Sequence, residues 1–492
     1  MVRAVPGSEP ELPEERTSIY VSDERNAIRW LLGRLEVRSW KHGAYAAACL
    51  GAALLIAYAP GHAGLSPDAR HALFILVFAA GLWLTEAIPA FAVALVVMAL
   101  EILLLGGLGR PGHKGVEYTR FLAPWAHPLV WLFLGGFVLG HGAARTGLDR
   151  WLAERVIAVF GRTRRGLLFG LMLVGFALSM FMSNTAAAAM LIAIAAPMRE
   201  GLDAKDPMRR AIVLSVPIAT NLGGMGSLIG SPPNAIAASA VEAASSRPLD
   251  FARWMLVGLP PAALLLGVAF WMLSRGVPLA EKGAAVAAAR KAATEGQRLP
   301  NWRRLVVMIT FFTTLALWST DALHGIPTPV VSFLPITVLS AIGVLRAQDV
   351  RGLGWDVLLL LAGGLALGAA VQETGLSSWL VSALPVSGAS RITLALVLAY
   401  AVVVISNFMS NTAAANILVP IAVELGRGHE AVTVVPVALA ASAAMCLPIS
   451  TPPNALAFST GDLAARDFLR PGVVLGLLAP AVAVAWCALV LR

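Results

Sequence analysis

Uninterrupted apolar runs recur along this chain and restrict its fold more than any other feature. Residues 44–58, 73–84, 91–105, 254–273, 305–317 and 473–491 are nearly free of charge. A helix needs about 20 residues to cross the hydrocarbon core of a bilayer. Lipid offers no hydrogen-bond partners, so a spanning segment must be a helix or a strand of a closed barrel. Barrel strands would alternate over about 10 residues, and these runs do not alternate. Composition agrees: 13% of the 492 residues are charged, where a soluble domain has about 25%. The expected fold is an all-α polytopic membrane protein with about 11 transmembrane segments.

The first 42 residues are polar and lack the order of a signal peptide. They are expected to form a cytoplasmic N-terminal tail, with one extra transmembrane helix at 43–60. The net charge of +9 is assigned to basic loops facing anionic lipid rather than to nucleic acid. Cys49, Cys446 and Cys487 give neither a disulfide framework nor metal-ligand spacing. No HExxH pair or Walker-type loop occurs, and His127 and His141 are read as structural or interfacial. No catalytic dyad or metal set is visible, so neither an enzyme nor an organic cofactor is expected. No soluble domain is long enough to couple ATP hydrolysis, so any transport must use a gradient or a partner chain.

Two copies of one pattern run through the apolar sequence. FMSNTAAAAM at 181–190 returns as FMSNTAAANI at 408–417, with eight of ten residues the same. LGGFVLGHGAARTGLDRWL at 134–152 answers AGGLALGAAVQETGLSSWL at 362–380. LWLTEA at 82–87 answers LWSTDA at 317–322, and GSPPNAI at 230–236 answers STPPNAL at 450–456. Four blocks in one order divide the chain into halves, 70–275 and 302–491. The charged, Ala-rich stretch 276–301 reads as a cytoplasmic linker.

The halves are expected to face opposite ways. Flanks 145–165 and 199–210 hold ten Lys or Arg, whereas the matching 372–391 and 423–430 hold two, Arg391 and Arg427. Cytoplasmic loops are rich in Lys and Arg, so this is read as an inverted-topology repeat. One loop resists: 108–125 carries Arg110, Lys114 and Arg120 on the expected outer side.

Each Ser-Asn-Thr triplet sits between apolar arms too short to span. Stretches 165–197 and 389–422 are therefore read as re-entrant hairpins with the triplet at the tip. Ser, Asn and Thr cap orphan amides where a helix begins. The N-terminal end of that helix favours an anion, and the carbonyls ending the previous arm favour a cation. The Pro pairs Pro232–Pro233 and Pro452–Pro453 break the apolar segments 211–241 and 431–459. Ser231 and Thr451, just before those pairs, are placed with their hydroxyls toward the cavity.

The paired triplets, TEAIP at 85–89, GGMGSLIGSPPN at 223–234 and STPPN at 450–454 resemble the divalent-anion/sodium symporter family, which carries dicarboxylate, citrate and sulfate. The resemblance covers 70–491. It implies a homodimer in the bilayer, in which a transport domain moves against a scaffold as an elevator. Ser183, Asn184, Thr185, Ser231, Ser410, Asn411, Thr412 and Thr451 would contact the substrate. Ser179, Ser183, Asn184 and Gly230, with Ser406, Ser410, Asn411 and Ser450, would hold sodium. Helices near 148–160 and 376–385 would be amphipathic arms cradling the mobile part. Two intact triplets lean the substrate toward a C4-dicarboxylate such as succinate, malate or fumarate, carried into the cell across a bacterial inner membrane. A sodium-independent exchanger, or a citrate, sulfate or other ion carrier on the same architecture, is the alternative. Glu86, Glu101, Asp356 and Glu373 lie toward helix ends and away from the triplets, which disfavours proton antiport.

Overall fold

A computed structural model describes residues 41–60, 62, 64–107, 117–203, 205–245, 249–277, 301–383 and 389–491. Most of the expected tail, most of the linker, the first part of the basic loop 108–125 and the end of the second arm helix lie outside these residues. The described residues are helical, with no strand among them. Residues 41–58 form the extra helix. Among the described residues five helices are long and apolar enough to cross a membrane: Pro67–Thr85, Thr119–Thr146, Phe251–Ser274, Trp355–Glu373 and Ala465–Val490. Large apolar side chains such as Leu264, Phe312, Val397 and Leu477 are exposed on helix surfaces. Lipid, not water, is the solvent for such a surface, and the chain is an integral membrane protein.

The sequence blocks that repeat also repeat their local bonds. Trp83 Nε1 donates to the Ala90 carbonyl at 3.2 Å, and Trp318 Nε1 donates to Thr328 at 3.0 Å. The Thr85 hydroxyl donates to Gly81 at 2.8 Å, and Thr320 to Ala316 at 2.7 Å. Gly147 and Gly375, 228 positions apart, end the helices Pro128–Thr146 and Trp355–Glu373 with φ of 64° and 76°. That left-handed turn carries little cost for glycine alone. It redirects the chain into Leu148–Phe160 and Leu376–Ala383. In the first of these, Leu152, Val159 and Phe160 are exposed while Asp149, Ala153 and Ile157 are buried. Leu148, Ala153 and Ile157 are the apolar residues turned inward, and a buried acid, Asp149, lies on the same side.

Each of these long helices packs on the other half of the chain. Trp355–Glu373 lies on Ala90–Leu104, with Gly363 so close that a Cβ there would stand 2.5 Å from Ala94 Cβ. Pro128–Thr146 lies on Phe333–Ala341, and a Cβ on Gly135 would stand 2.6 Å from Ser332 Cβ. Two ion pairs extend this pattern. Arg120 Nε lies 2.7 Å from Glu373 Oε1, and Arg145 binds Asp349. Arg145 and Glu373 are 228 positions apart and Arg120 and Asp349 are 229 apart, close to the repeat spacing. The bond is kept while its charges are exchanged. Desolvation opposes ionisation of Asp349, but the Arg346 amide and the charges of Arg145, His141 and Arg346 outweigh it and hold its carboxyl below the usual range.

Other described elements form two helical hairpins and two broken helices. The hairpins are Arg164–Ser179 with Asn184–Glu200, and Arg391–Ser406 with Asn411–Leu425. Arms of 16, 17, 16 and 15 residues reach about 23–26 Å at 1.5 Å per residue, short of a core about 30 Å thick. The broken helices are Pro207–Gly223 with Pro232–Ser245, and Glu430–Ala441 with Pro452–Ser459. They interlock: Pro452–Ser459 packs on Asn184–Glu200 and Pro207–Gly223, and Pro232–Ser245 packs on Asn411–Leu425 and Glu430–Ala441. Beyond the end of the second broken helix, Asp462 binds Arg199 at 2.5 Å and Arg209 at 2.6 Å.

Asp462→Asn should expose the value of that cluster. It leaves two half-buried guanidiniums short of an acceptor, and Arg199 keeps only Glu200 at 3.8 Å. A loss of about 1–3 kcal/mol is expected, seen as a lower melting temperature in detergent. Arg120→Ala removes a pair whose Arg side chain is 65% exposed and should cost under about 1 kcal/mol. The reverse order would contradict this ranking.

Candidate functional site

Both hairpin tips are built alike. Ser183 caps the second arm of the first hairpin, accepting the Ala186 amide at 3.2 Å, and Ser410 accepts Ala413 at 3.2 Å. Such caps are worth about 1 kcal/mol each. Ser183, Thr185 and Ser410 are exposed, Asn184 and Asn411 half-buried, and Thr412 buried. Ser179 and Ser406, one turn earlier, are fully buried. The Ser406 hydroxyl donates to Asn411 Oδ1 at 2.9 Å. The Ser179 hydroxyl lies 2.6 Å from Asn184 Oδ1 and 2.7 Å from the Thr220 carbonyl. A hydroxyl has one proton to donate, so this buried cluster carries an excess of lone pairs.

The Asn of each Pro-Pro-Asn closes its helix break. Asn234 Nδ2 donates to the Gly224 and Ser227 carbonyls at 2.8 and 2.7 Å. Asn454 Nδ2 donates to Met445 and Leu447 at 3.1 and 2.8 Å. Each tip is also tied to the break of its own half. Ser227 Oγ donates to the Met180 carbonyl. In the second half, Asn407 Oδ1 accepts the Cys446 amide at 2.8 Å and the Ser450 hydroxyl at 2.9 Å. Asn184 packs over Gly224, and a Cβ on Gly230 would meet the Gly224 carbonyl oxygen at 2.7 Å. Only glycine admits that approach.

One contact joins the breaks to each other. Asn221 Nδ2 lies 3.0 Å from Thr451 Oγ1 and 3.4 Å from Asn454 Oδ1. The Thr451 hydroxyl also caps Pro452–Ser459 by accepting the Asn454 amide at 3.3 Å. Thr451 Oγ1 thus accepts two hydrogen bonds within the frame, and its hydroxyl proton remains to be donated. Ser231 is buried just before the first Pro pair. Two carboxamide oxygens, Asn221 Oδ1 and Asn234 Oδ1, are buried with no donor. Sequence reasoning passed over Asn221, Ser227, Asn234, Asn407 and Asn454. The signal was present: each is a polar residue within an apolar or proline-broken run.

Ser410 opens into a cavity of about 440 Å³ lined by His42, Trp83 and Glu86–Ala90. TEAIP thus lines a space in front of the second tip, and Glu86, expected to lie away from the triplets, shares that cavity with Ser410. Three of the four basic residues that bracket the triplets are engaged elsewhere: Arg165 with the Val277 carbonyl, Arg199 with Asp462, and Arg427 with Glu424; the fourth, Arg391, is exposed at the far end of its arm. Glu101, on a helix packed against Trp355–Glu373, is fully buried and neither carboxyl oxygen has a partner. Among the described residues no cluster of three or more His, Cys, Asp or Glu could hold a metal ion.

Interrupted helices with convergent caps inside an apolar helical body define a membrane transporter. A model of the citrate transporter (CitMHS) family matches residues 80–444 and also 315–491. The chain belongs to that family and, with it, to the divalent-anion/sodium symporters; it is a transporter, not an enzyme. It is 30% identical over 449 residues to the sodium-dependent dicarboxylate transporter SdcS of Staphylococcus saprophyticus, covering 84% of each chain. The protein of that name in Staphylococcus aureus is 29% identical over 444 residues, 83% of each. Among solved structures, the YdaH transporter of Alcanivorax borkumensis is similar in fold, with a TM-score of 0.51 at 13% identity over 81% of this chain and 96% of that one.

The frame carried by the Pro-Pro-Asn carboxamides can be tested directly. Asn234→Ala and Asn454→Ala each remove a donor shared by two carbonyls and should cost about 1–3 kcal/mol. Ser231→Ala, with no bond of comparable importance, should leave the melting temperature nearly unchanged. Equal melting temperatures in all three variants would contradict the assignment.

Proposed function

We propose that the chain imports a C4-dicarboxylate such as succinate, malate or fumarate together with sodium ions. The observation that carries this reading is the surplus of buried oxygen at the first tip: one Ser179 proton for two acceptors, with the Asn221 and Asn234 oxygens lacking donors nearby in the same broken helix. Hard cations take oxygen ligands of this kind. Ser179, Ser183, Asn184 and Gly230 would hold one ion, and Ser406, Ser410, Asn411 and Ser450 another. Ser183, Asn184, Thr185, Ser231, Ser410, Asn411, Thr412 and Thr451 would meet the anion. A dianion at membrane depth is costly unless paired. The bracketing arginines are occupied or, as with Arg391, stand at the far end of an arm, and helix N-termini supply only about +0.5 each. Co-transported cations are the remaining source of compensating charge. Relatives named as sodium-dependent dicarboxylate transporters support the same cargo. Citrate, named in the family description, is the competing cargo.

The working arrangement is an inverted repeat of two re-entrant hairpins and two broken helices among about 11 spans, in a bacterial plasma membrane with the N-terminus cytoplasmic. The pairing of Asp462 with Arg199 and Arg209 supports it, since it sets the end of the second broken helix beside the start of the first. The exchanged ion pairs support it as well. A homodimer in which hairpins and broken helices move as an elevator against the long helices completes the reading.

Uptake of labelled succinate into proteoliposomes should require sodium, with a Hill coefficient above one, and fail in choline. Asn184→Ala and Asn411→Ala should abolish it while expression is retained. Equal uptake in sodium and choline would leave a sodium-independent exchanger in its place.

Topology has a separate check. Single cysteines at Asp203 and Gly428, in a background without Cys49, Cys446 and Cys487, should react with an impermeant thiol reagent from opposite sides. Labelling from one side would end the inverted-repeat reading.

A further inference from the structure

Glu86 lines the cavity of about 440 Å³ onto which Ser410 opens, and we propose that its carboxylate positions sodium at the second hairpin tip by attraction across that space. That role rests on the sodium reading of the triplets given above. The motif TEAIP forms a sharp turn between two helices. Trp83 Nε1 closes it by donating to the Ala90 carbonyl at 3.2 Å, and Glu86 ends Pro67–Thr85 with φ of 49° and ψ of 33°. Among the described residues it is the one non-glycine residue with a positive φ. A residue with a Cβ is strained in that left-handed conformation and glycine is not. An acid at the C-terminal end of a helix also opposes the helix dipole. Neither the Cβ nor the charge serves the local structure. At the matching position of the other half, Asp321 opens a helix and accepts the Ala322 amide at 2.8 Å, where an acid is favoured. Glu86 has no such partner: its side chain is exposed, and no hydrogen bond or ion pair holds it among the described residues.

The carboxylate has the wrong sign for an anion and the right one for a cation. The lining contains no Lys or Arg, and His42 is its other ionisable side chain. A dicarboxylate arriving alone would be repelled. A sodium ion would be drawn toward Ser410 and, once held there, would offset the carboxylate for the anion that follows. Across a compact space of that volume, about 9 Å wide, Coulomb's law gives an effect on cation occupancy of about two- to twentyfold between dielectric constants of about 80 and about 20. Glu86 is a positioning residue in this assignment: the ion's ligands are those of the tip, and Glu86 acts on them through its field.

The sodium dependence of labelled succinate uptake into proteoliposomes tests this, with total salt held constant by choline chloride. Half-saturation by sodium should rise about two- to twentyfold in Glu86→Gln and further in Glu86→Lys, which reverses the charge. Glu86→Asp keeps the charge and should stay within about twofold of the wild type. The rise should shrink when the constant salt level is increased, because ions screen a charge that acts across open space. A merely structural role for Glu86 would not respond to salt in this way. Glu86→Asn, which tolerates the left-handed region, repeats the test if Glu86→Gln lowers the melting temperature. Half-saturation unchanged in the Gln and Asn variants, a rise as large in Glu86→Asp, or a rise indifferent to salt would each overturn the assignment while leaving sodium coupling in place. Wild-type uptake independent of sodium would overturn the function proposed above, and this assignment with it.

Discussion

The structure depends on satisfying broken backbone inside an apolar body. Two hairpin tips and two helix breaks each leave amides and carbonyls that no regular helix uses. Lipid cannot bond them, and an unmet group there costs several kcal/mol. The answer is short polar side chains placed at the interruptions themselves. Ser183 and Ser410 cap the arms, while Asn234 and Asn454 each gather two carbonyls. The same residues that make the interruptions tolerable also line up the polar groups available to a cargo.

Satisfaction is incomplete in an informative way. The Asn221 and Asn234 oxygens and the Ser179 cluster have more acceptors than donors. Evenly matched partners would make a rigid but inert core. In the proposed reading that surplus oxygen would hold a cation, which would bring charge that partial helix dipoles cannot supply. Substrate and ion would then be coupled by electrostatics without a basic side chain at the tips.

Rigidity around the site comes from contacts between the halves. Gly135 and Gly363 let helices of the two halves approach closely, and Arg145–Asp349 and Arg120–Glu373 tie the halves to each other. Exchanging the charges between copies preserves the bond, because Coulomb attraction is indifferent to which partner carries which sign. Drift in sequence can therefore hide a contact that geometry retains.

Much of this was legible in the sequence. Apolar run length dictated helices, the Pro pairs dictated breaks, and the triplets marked helix starts, all through local rules of backbone bonding. The short hairpin arms followed from the same rules. Partner choice across the fold was not legible. That Thr451 would be taken up by Asn221, 230 residues away, or that Glu86 would share a cavity with Ser410, depends on which helices meet and at what depth. Sequence period specifies which face of a helix is apolar; it does not specify which polar atom on another helix will come within 3 Å. Only tertiary packing decides that.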